Sequence, residues 1–275
     1  MVTSRRLALL GLTAGLAACG GSSAGGTTAH HQSPRQALLT AAHLASTQSF
    51  RVDFTIGERL NGSGAKAPSL GLTGFSLSGN GRFNVAGANR SDGTLAFTVA
   101  GHSVDVAVTT LDGTIYVSTD GGATYRSMAV TSHLEDQYGP GSALRFLDAV
   151  GTVADRGSAV ADGVKVERYH ATLDPAKMSA MVRDQLSSMN SGPISEVVGA
   201  LQFQGGGLDA TIDGSGRLVT ETGTLGAGVD LGKVEPSMSG TSISFELTLS
   251  SHFYDYGAHI AVSKPANVTG TNGLP

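Results

Sequence analysis

Residues 93–119 read GTLAFTVAGHSVDVAVTTLDGTIYVST, and apolar residues alternate with polar ones through three short segments of this stretch. The alternating apolar positions are Leu95, Phe97, Val99, Val104, Val106, Val108, Ile115 and Val117. A period of two predicts strands with one buried face, because successive side chains of a strand point to opposite faces. Asp112-Gly113 between the last two segments predicts a tight hairpin turn. Short connections make sequential strands antiparallel neighbours, so this stretch predicts a meander.

The meander is predicted to extend on both sides of this stretch. The apolar residues Phe50, Val52, Phe54 and Ile56 alternate with polar ones and predict an earlier strand. Residues rich in Gly, Ser and Pro predict a long loop over 57–75, and the next strand is predicted over 76–86. Glycine-containing turns are predicted at 89–93, 100–102 and 120–122, before a strand over 123–128. We therefore expect about six antiparallel strands.

Helical spacing and capping residues predict three helices. Ser33-Pro34 places a capping side chain before a proline that suits the first helical position, so a helix is expected from here to Thr47. Asp174-Pro175 repeats that signature before a second helix, whose apolar face carries Met178, Met181, Val182, Leu186 and Met189. Leu144, Leu147, Val150 and Val153 recur at spacings of three, which predicts a third helix over 142–153.

The second half of the chain returns to strand patterns. One strand is predicted between the helices, over 163–173, and the later strands are predicted over 207–213, 216–225, 241–251 and 257–263. Strands that follow one another with short turns build an antiparallel sheet, and the helices must bury their apolar faces against it. The predicted fold class is therefore α+β, an antiparallel sheet with its helices gathered on one face.

The chain begins with a basic start and a short apolar run. Arg5 and Arg6 precede an apolar run over 7–18, which is too short for the roughly 20 residues of a membrane-spanning helix. The run ends in LAAC at 16–19, which resembles the bacterial lipobox. We therefore predict a signal peptide over 1–18 and a lipid anchor on Cys19.

This anchor would hold the chain at the outer face of the cell membrane. Residues 19–32 are rich in Gly, Ser and Thr and are predicted to form a flexible tether. A single folded domain is expected over 33–268, followed by a tail over 269–275. Ser4-Arg5-Arg6 is compatible with both general secretion and twin-arginine export.

Composition and motifs argue against several function classes. The net charge of −4 predicts no nucleic-acid binding, because a nucleic-acid partner calls for a basic surface. Hydrophobic residues make up 40% of the chain, which is ample for a core. The eight histidines form no metal-binding motif, and no nucleotide-binding loop occurs. We therefore expect no metal, no cofactor and no enzymatic activity.

The chain resembles the LppX/LprG family of actinobacterial lipoproteins, whose fold is like that of the LolA/LolB lipoprotein carriers. The resemblance covers roughly 33–268, after the lipobox and tether. It rests on SFRVD at 49–53, DGTIYV at 112–117, IDGSGRL at 212–218 and FYDYG at 253–257, with a terminal strand that ends at KPA, 264–266.

The resemblance implies a strongly curved antiparallel half-barrel with helices on its concave face and an apolar cavity between them. The cavity would hold the acyl chains of a lipid or glycolipid, which the protein would carry across the cell envelope. The expected lining residues are Phe54, Ile56, Val106, Val108, Leu144, Leu147, Met178, Met181, Val182, Phe245 and Leu247. The expected partners are that lipid, the membrane that receives the anchor, and an envelope transport partner of unknown identity.

Two alternatives remain open at the level of the sequence. The methionines of the helix after Asp174 could be ordinary core residues, because apolar helix faces are usually buried. The whole domain could likewise have a filled core and act as a scaffold or protein-interaction lipoprotein. A carrier needs an apolar cavity of lipid size, whereas a scaffold has a packed interior.

Overall fold

Two helices begin at the predicted capping residues. The computed structural model describes residues 32–64, 66–67, 75–87, 90–99, 102–129, 149–187 and 200–270. Helix α1 spans Pro34–Thr47, and the hydroxyl of Ser33 accepts a hydrogen bond from the amide of Gln36. Helix α2 spans Pro175–Ser187, and the carboxylate of Asp174 accepts hydrogen bonds from the amides of Ala176 and Lys177. Both starts confirm the sequence prediction, since these side chains satisfy amides left free in the first turn.

In the described part of the chain, eleven strands form one open antiparallel sheet. They are β1 Phe50–Ser63, β2 Phe75–Gly87, β3 Arg90–Val99, β4 His102–Leu111, β5 Thr114–Ser118, β6 Arg126–Ala129, β7 Val150–Ala161, β8 Val164–Leu173, β9 Leu201–Asp213, β10 Leu218–Asp230 and β11 Ser242–Tyr254. Their order is β6-β5-β4-β3-β2-β1-β11-β10-β9-β8-β7. The predicted curved antiparallel sheet with helices on one face is confirmed.

The sheet consists of two meanders joined at its centre. Strands β1 to β6 follow one another in the first, and β7 to β11 in the second. The two meet where β1 pairs with β11 along its whole length, from Arg51 opposite Tyr254 to Ser63 opposite Ser242. The long central strands therefore hold the two halves together by main-chain hydrogen bonds.

Two hairpins turn through adjacent residues with positive φ. Asp112 and Gly113 have φ of 48° and 78°, which confirms the turn predicted between β4 and β5. Asp162 and Gly163 have φ of 49° and 77° and connect β7 to β8 in the same way. Positive φ at both central residues belongs to the turn type whose twist matches paired strands, and glycine adopts it without a steric penalty.

The predicted loop over 57–75 is wrong in its first part, and the predicted turn over 89–93 is too long. Strand β1 continues to Ser63, because pairing with β11 satisfies the backbone despite the Gly and Ser content of this segment. Strand β3 already begins at Arg90, which lies opposite Leu111 of β4.

The predicted helix over 142–153 is wrong from Val150 onward, where strand β7 begins. Val150 lies opposite Leu173, and Val153 lies opposite Ala171, while Gly151 has no partner in the ladder. This bulge places Val150 and Val153 on the same face of the sheet at a spacing of three. A bulged strand thus imitates the helical period, and two strands rather than one precede α2.

The last predicted strand, 257–263, and the predicted four-strand ending are also wrong. Among the residues described after α2, three strands, β9 to β11, are found, and the backbone from 255 to 270 forms no ladder of its own. Strand β11 already pairs with β10 and β1, so no edge beside it is open to a further strand. The segment instead reaches β6, where Thr269 donates to the carbonyl of Tyr125 and Ser127 donates to that of Gly270.

Two clusters of buried side chains lie where the helices pack on the sheet. The first lies under α1, and its buried members are Leu38, Ala41, Val150, Ala171, Ala210 and Ile212. The second lies under α2, and its buried members are Ala149, Met178, Phe203 and Ala227. Among the described residues, no helix is long and apolar enough to cross a membrane.

Candidate functional site

The register of the central strands places the predicted cavity residues of three strands on one face, which we call the apolar face. Phe54 of β1 lies opposite Gly81 of β2, which lies opposite Leu95 of β3, which lies opposite Val106 of β4. Directly opposite residues share a face, so these four residues form one row across the sheet, with a glycine at the second position.

A second row runs parallel to the first and crosses into the other half of the sheet. Ile56 lies opposite Gly79, and the row continues through Phe97 to Val104 on β4. In the other direction Ile56 lies opposite Leu249 of β11. Leu247 and Phe245, which are also predicted lining residues, lie two and four positions before Leu249. They therefore share its face of β11. Val108 likewise shares the face of Val106.

Glycines beneath aromatic rings shape the surface of the apolar face. A Cβ built on Gly81 would lie 2.8 Å from Cζ of Phe54, and one on Gly79 would lie 2.7 Å from Cδ1 of Phe97. The rings therefore lie in the space that a side chain would need. Phe54 also stacks on Phe83, with ring centroids 5.7 Å apart and an interplanar angle of 18°. The result is a group of aromatic rings from β1, β2 and β3 packed over glycines of neighbouring strands, which we call the aromatic floor.

This floor is half-buried rather than enclosed. Phe54, Ile56, Val106 and Val108 are all intermediate in exposure, and Val104 is 42% exposed. The principal helix contacts lie at the other end of the sheet, since α1 packs on β7, β9 and β10, and α2 packs on β9. Apolar side chains of the central strands are thus available to something other than these two helices.

The methionines of α2 occupy a different environment. Met178 is 1% exposed and packs with Phe203 and Ala227 in the buried cluster under α2. Met181 and Phe245 are partly buried and pack against the same cluster. The structure therefore brings Phe245 and the two methionines together, at the edge of the apolar face where α2 meets the sheet.

Some predicted site residues lie outside the described part of the chain. Cys19 and the segment over 1–18 precede it, and Leu144 and Leu147 fall in the gap over 130–148. Val182 belongs to α2, but its side chain is not described. Their predicted roles stay predictions.

The apolar face also carries a carboxyl group that sequence reasoning missed. Glu221 of β10 lies opposite Ala210 and Ser251, and Ser251 lies opposite Phe54. Burial raises the pKa of Glu221 above its usual range. No hydrogen bond or ion pair to its side chain is found among the described residues. The alternation of β10 was visible in the sequence, but only the register shows that Glu221 lies on its inward-facing side.

The opposite face of the sheet, which we call the polar face, is held by hydrogen bonds between charged side chains. Arg82 donates two hydrogen bonds to the carboxylate of Asp53, at 2.6 and 3.2 Å, and Tyr254 donates a third at 3.3 Å. The hydrogen bond from Arg82 is the main cause that lowers the pKa of Asp53. Asp53 is therefore an ionised, oriented acceptor at neutral pH.

Comparisons with known proteins concern the fold. No family model matches the chain, and no curated protein matches it. LprF from Mycobacterium bovis is 14% identical, with a TM-score of 0.44, over 85% of this chain and 97% of its own. The lipoprotein LppX from Mycobacterium tuberculosis is 14% identical, with a TM-score of 0.35, over 84% of this chain and 98% of its own.

A third similar structure is the complex of MucA and MucB from Pseudomonas aeruginosa. It is 12% identical, with a TM-score of 0.35, and the match covers 84% of this chain and 59% of that one. At identities this low a likeness describes the fold and not the activity.

Proposed function

We propose that this protein is a lipid-anchored protein of the cell envelope that binds an acylated lipid or glycolipid on the apolar face and carries it between membranes. The anchor is the lipid expected on Cys19, and the protein works at the outer face of the cell membrane. Its role is binding and transfer rather than catalysis.

One observation carries this proposal, namely the aromatic floor of the central strands. Phe54, Phe83 and Phe97 each lie over a glycine of a neighbouring strand, and aliphatic side chains of β4 and β11 continue the same surface. Acyl chains make no directional contacts, so a continuous apolar surface suits them. Each methylene that such a surface removes from water contributes about 0.8 kcal/mol.

The incomplete burial of this floor supports a ligand rather than a filled core. In a packed interior, large apolar side chains of central strands lie close to full burial. Phe54 and Ile56 are only half-buried although β1 lies at the centre of the sheet. An apolar surface left open in this way is commonly a binding site.

The test is to identify what the full-length protein holds when it is purified in mild detergent from its own host. Native mass spectrometry should show a bound lipid that organic extraction removes. Val106→Trp, which adds bulk on the apolar face, should lower the bound lipid per chain by more than about half, because the ligand and the indole would compete for the same space. Val160→Trp is the matched control, since Val160 is 73% exposed on β7.

Two results would count against the carrier. A protein that is empty after purification and takes up no lipid from vesicles of its host's lipid extract would instead be a scaffold with a filled core. Equal lipid loads in Val106→Trp and Val160→Trp would show that lipid binds elsewhere than on the apolar face.

A further inference from the structure

Three adjoining depressions lie across the polar face, and we call them together the groove. Its central section has a volume of about 810 Å³ and is lined by Asp53, Asn80, Arg82, Thr94, Asp105 and His252, among others. These residues belong to β1, β2, β3, β4 and β11, so the groove crosses the strands rather than following one of them. Its polar side chains lie on the opposite side of the sheet from the proposed lipid site, while Phe54, Leu95 and Val106 of the apolar face also border this section.

Two further sections extend the groove at its ends. One, of about 320 Å³, shares Thr55 and Ser250 with the central section and reaches His170 on β8. The other, of about 510 Å³, shares Arg82 and Thr94 with the central section and is bounded by the C-terminal segment, residues 263–267. From β8 to β4 the groove crosses seven strand spacings, or roughly 33 Å at about 4.8 Å each.

The polar groups of the groove are held in place before any ligand arrives. Arg82 and Tyr254 orient the carboxylate of Asp53, as described above. The ring of His252 stacks on that of Tyr254, with centroids 5.5 Å apart. At the far end, Nδ1 of His170 lies 2.8 Å from the carboxylate of Asp209. Each carboxylate keeps lone pairs for a further donor, because an ionised carboxylate offers about four acceptor positions.

The charge of the groove disfavours an anionic ligand, because the carboxylates in its lining outnumber the guanidinium of Arg82; they belong to Asp53, Asp92, Asp105 and Asp209. In the central section Arg82 is neutralised by Asp53, which leaves Asp105 as one unbalanced carboxylate. An anionic polymer needs clustered cations, which this lining does not supply. The remaining polar side chains of the central section are the hydroxyls of Thr55, Thr94 and Ser250, the amide of Asn80 and the ring of His252. Hydroxyls and amides both donate and accept hydrogen bonds. A neutral ligand rich in hydroxyl groups matches this mixture.

An extended peptide suits the groove less well. A peptide gains most of its affinity for a sheet by pairing with an open strand edge. The strands beneath the groove, β1, β2, β10 and β11 among them, are paired on both edges. A ligand in the groove must therefore be recognised by the side chains of these strands alone, and these side chains are separated by the spacing between strands.

We propose that the polar groove binds a neutral oligosaccharide of several sugar units, independently of the lipid on the apolar face. The sugar hydroxyls hydrogen-bond to Asp53, Asn80 and Thr94 at the centre, and the chain of sugars lies across the strands toward His170. A protein held at the outer face of a membrane would in this way also contact a glycan of the envelope.

The test measures binding of neutral hexasaccharides by the full-length protein in detergent, with cellohexaose, maltohexaose, chitohexaose and an arabinofuranose hexamer as probes. Titration calorimetry should give saturable binding of at least one probe. Ser250→Tyr places a ring where the central and β8 sections meet, and should weaken that binding by at least about tenfold. Ser78→Tyr is the matched control, because Ser78 is an exposed serine of the polar face outside the lining.

The outcomes separate this site from the lipid site. Loss of hexasaccharide binding in Ser250→Tyr, with an unchanged lipid load and an unchanged melting temperature, supports the proposal. Absence of binding by all four probes overturns it, and so does equal binding by Ser250→Tyr and Ser78→Tyr. Displacement of a bound probe by a neutral extended peptide at equal concentration would also overturn it, in favour of a peptide ligand.

Discussion

The ring of Phe54 lies directly over Gly81 of the neighbouring strand, where a Cβ on the glycine would approach the ring to 2.8 Å. The same Cβ would lie 2.5 Å from the carbonyl oxygen of Thr94. The sheet therefore needs glycine at this position, because a side chain would collide both with the ring of Phe54 and with the backbone of β3. Phe54 is half-buried in this position.

Replacing Gly81 with alanine should destabilise the protein by about 1–3 kcal/mol, because the added methyl forces the ring and the backbone of β3 to move. Chemical denaturation should show a lower midpoint with an unchanged slope. Gly226→Ala is the control, since the nearest atoms to its Cβ lie 3.9 Å away. Equal midpoints for the two variants would contradict the role given to Gly81.

Met178→Ala should lower the free energy of unfolding by about 2–5 kcal/mol, because it empties a fully buried position under α2. Any decrease in the amount of bound lipid per chain should result only from this loss of stability, because Met178 supports the core and does not contact the lipid. Met178→Leu, which conserves the volume, should restore both. If Met178→Leu were stable yet bound no lipid, the methionine would contact the lipid directly rather than support the core.

Glu221→Gln should make the protein more stable at neutral pH. The folded state raises the pKa of Glu221 by burial, so this carboxyl favours folding while it is protonated. That contribution is present below the ordinary value of 4.5 and is lost as the pH rises through the higher folded value. The free energy of unfolding, measured from about pH 4 to about pH 8, should fall less steeply with pH for Glu221→Gln than for the native protein. Parallel profiles would show that the carboxyl is solvated.

Asp120 should stabilise the folded protein with the opposite dependence on pH. Hydrogen bonds from Ser118, from the hydroxyl and amide of Thr124, and from Ala123 lower the pKa of Asp120 well below its ordinary value of 3.8. Its contribution is therefore present above that value and lost as the pH falls below it.

Asp120→Asn should flatten the loss of stability between about pH 5 and about pH 2, measured by denaturant unfolding. Ser118→Ala removes the leading donor and should shift the loss to higher pH. An unchanged acid profile in both variants would contradict the role given to these hydrogen bonds.

Local chemistry allowed several elements to be predicted from the sequence. Ser33 and Asp174 satisfy the first amides of α1 and α2 within three residues of themselves, so both helix starts follow from neighbouring residues. The turn at Asp112-Gly113 is equally local. The same holds for strand faces, because a period of two assigns Phe54 and Val106 to a buried side without knowledge of their partners.

Pairing over long distances could not be predicted in this way. The contact between β1 and β11 joins Arg51 to Tyr254, and no local pattern shows that these strands are neighbours. The bulge at Gly151 depends on the register with β8, which is why the spacing of Val150 and Val153 was taken for a helix.

The sequence by itself determined where α1 and α2 begin, where the hairpin between β4 and β5 turns, and which side of β1 and β4 is apolar, because caps, turns and alternation act over a few residues. Only the tertiary structure decided which apolar rows align, that Glu221 lies on the apolar face, and that Asp53, Arg82 and His252 line one groove. These arrangements depend on strand order and register, which arise from main-chain pairing between residues far apart in the chain.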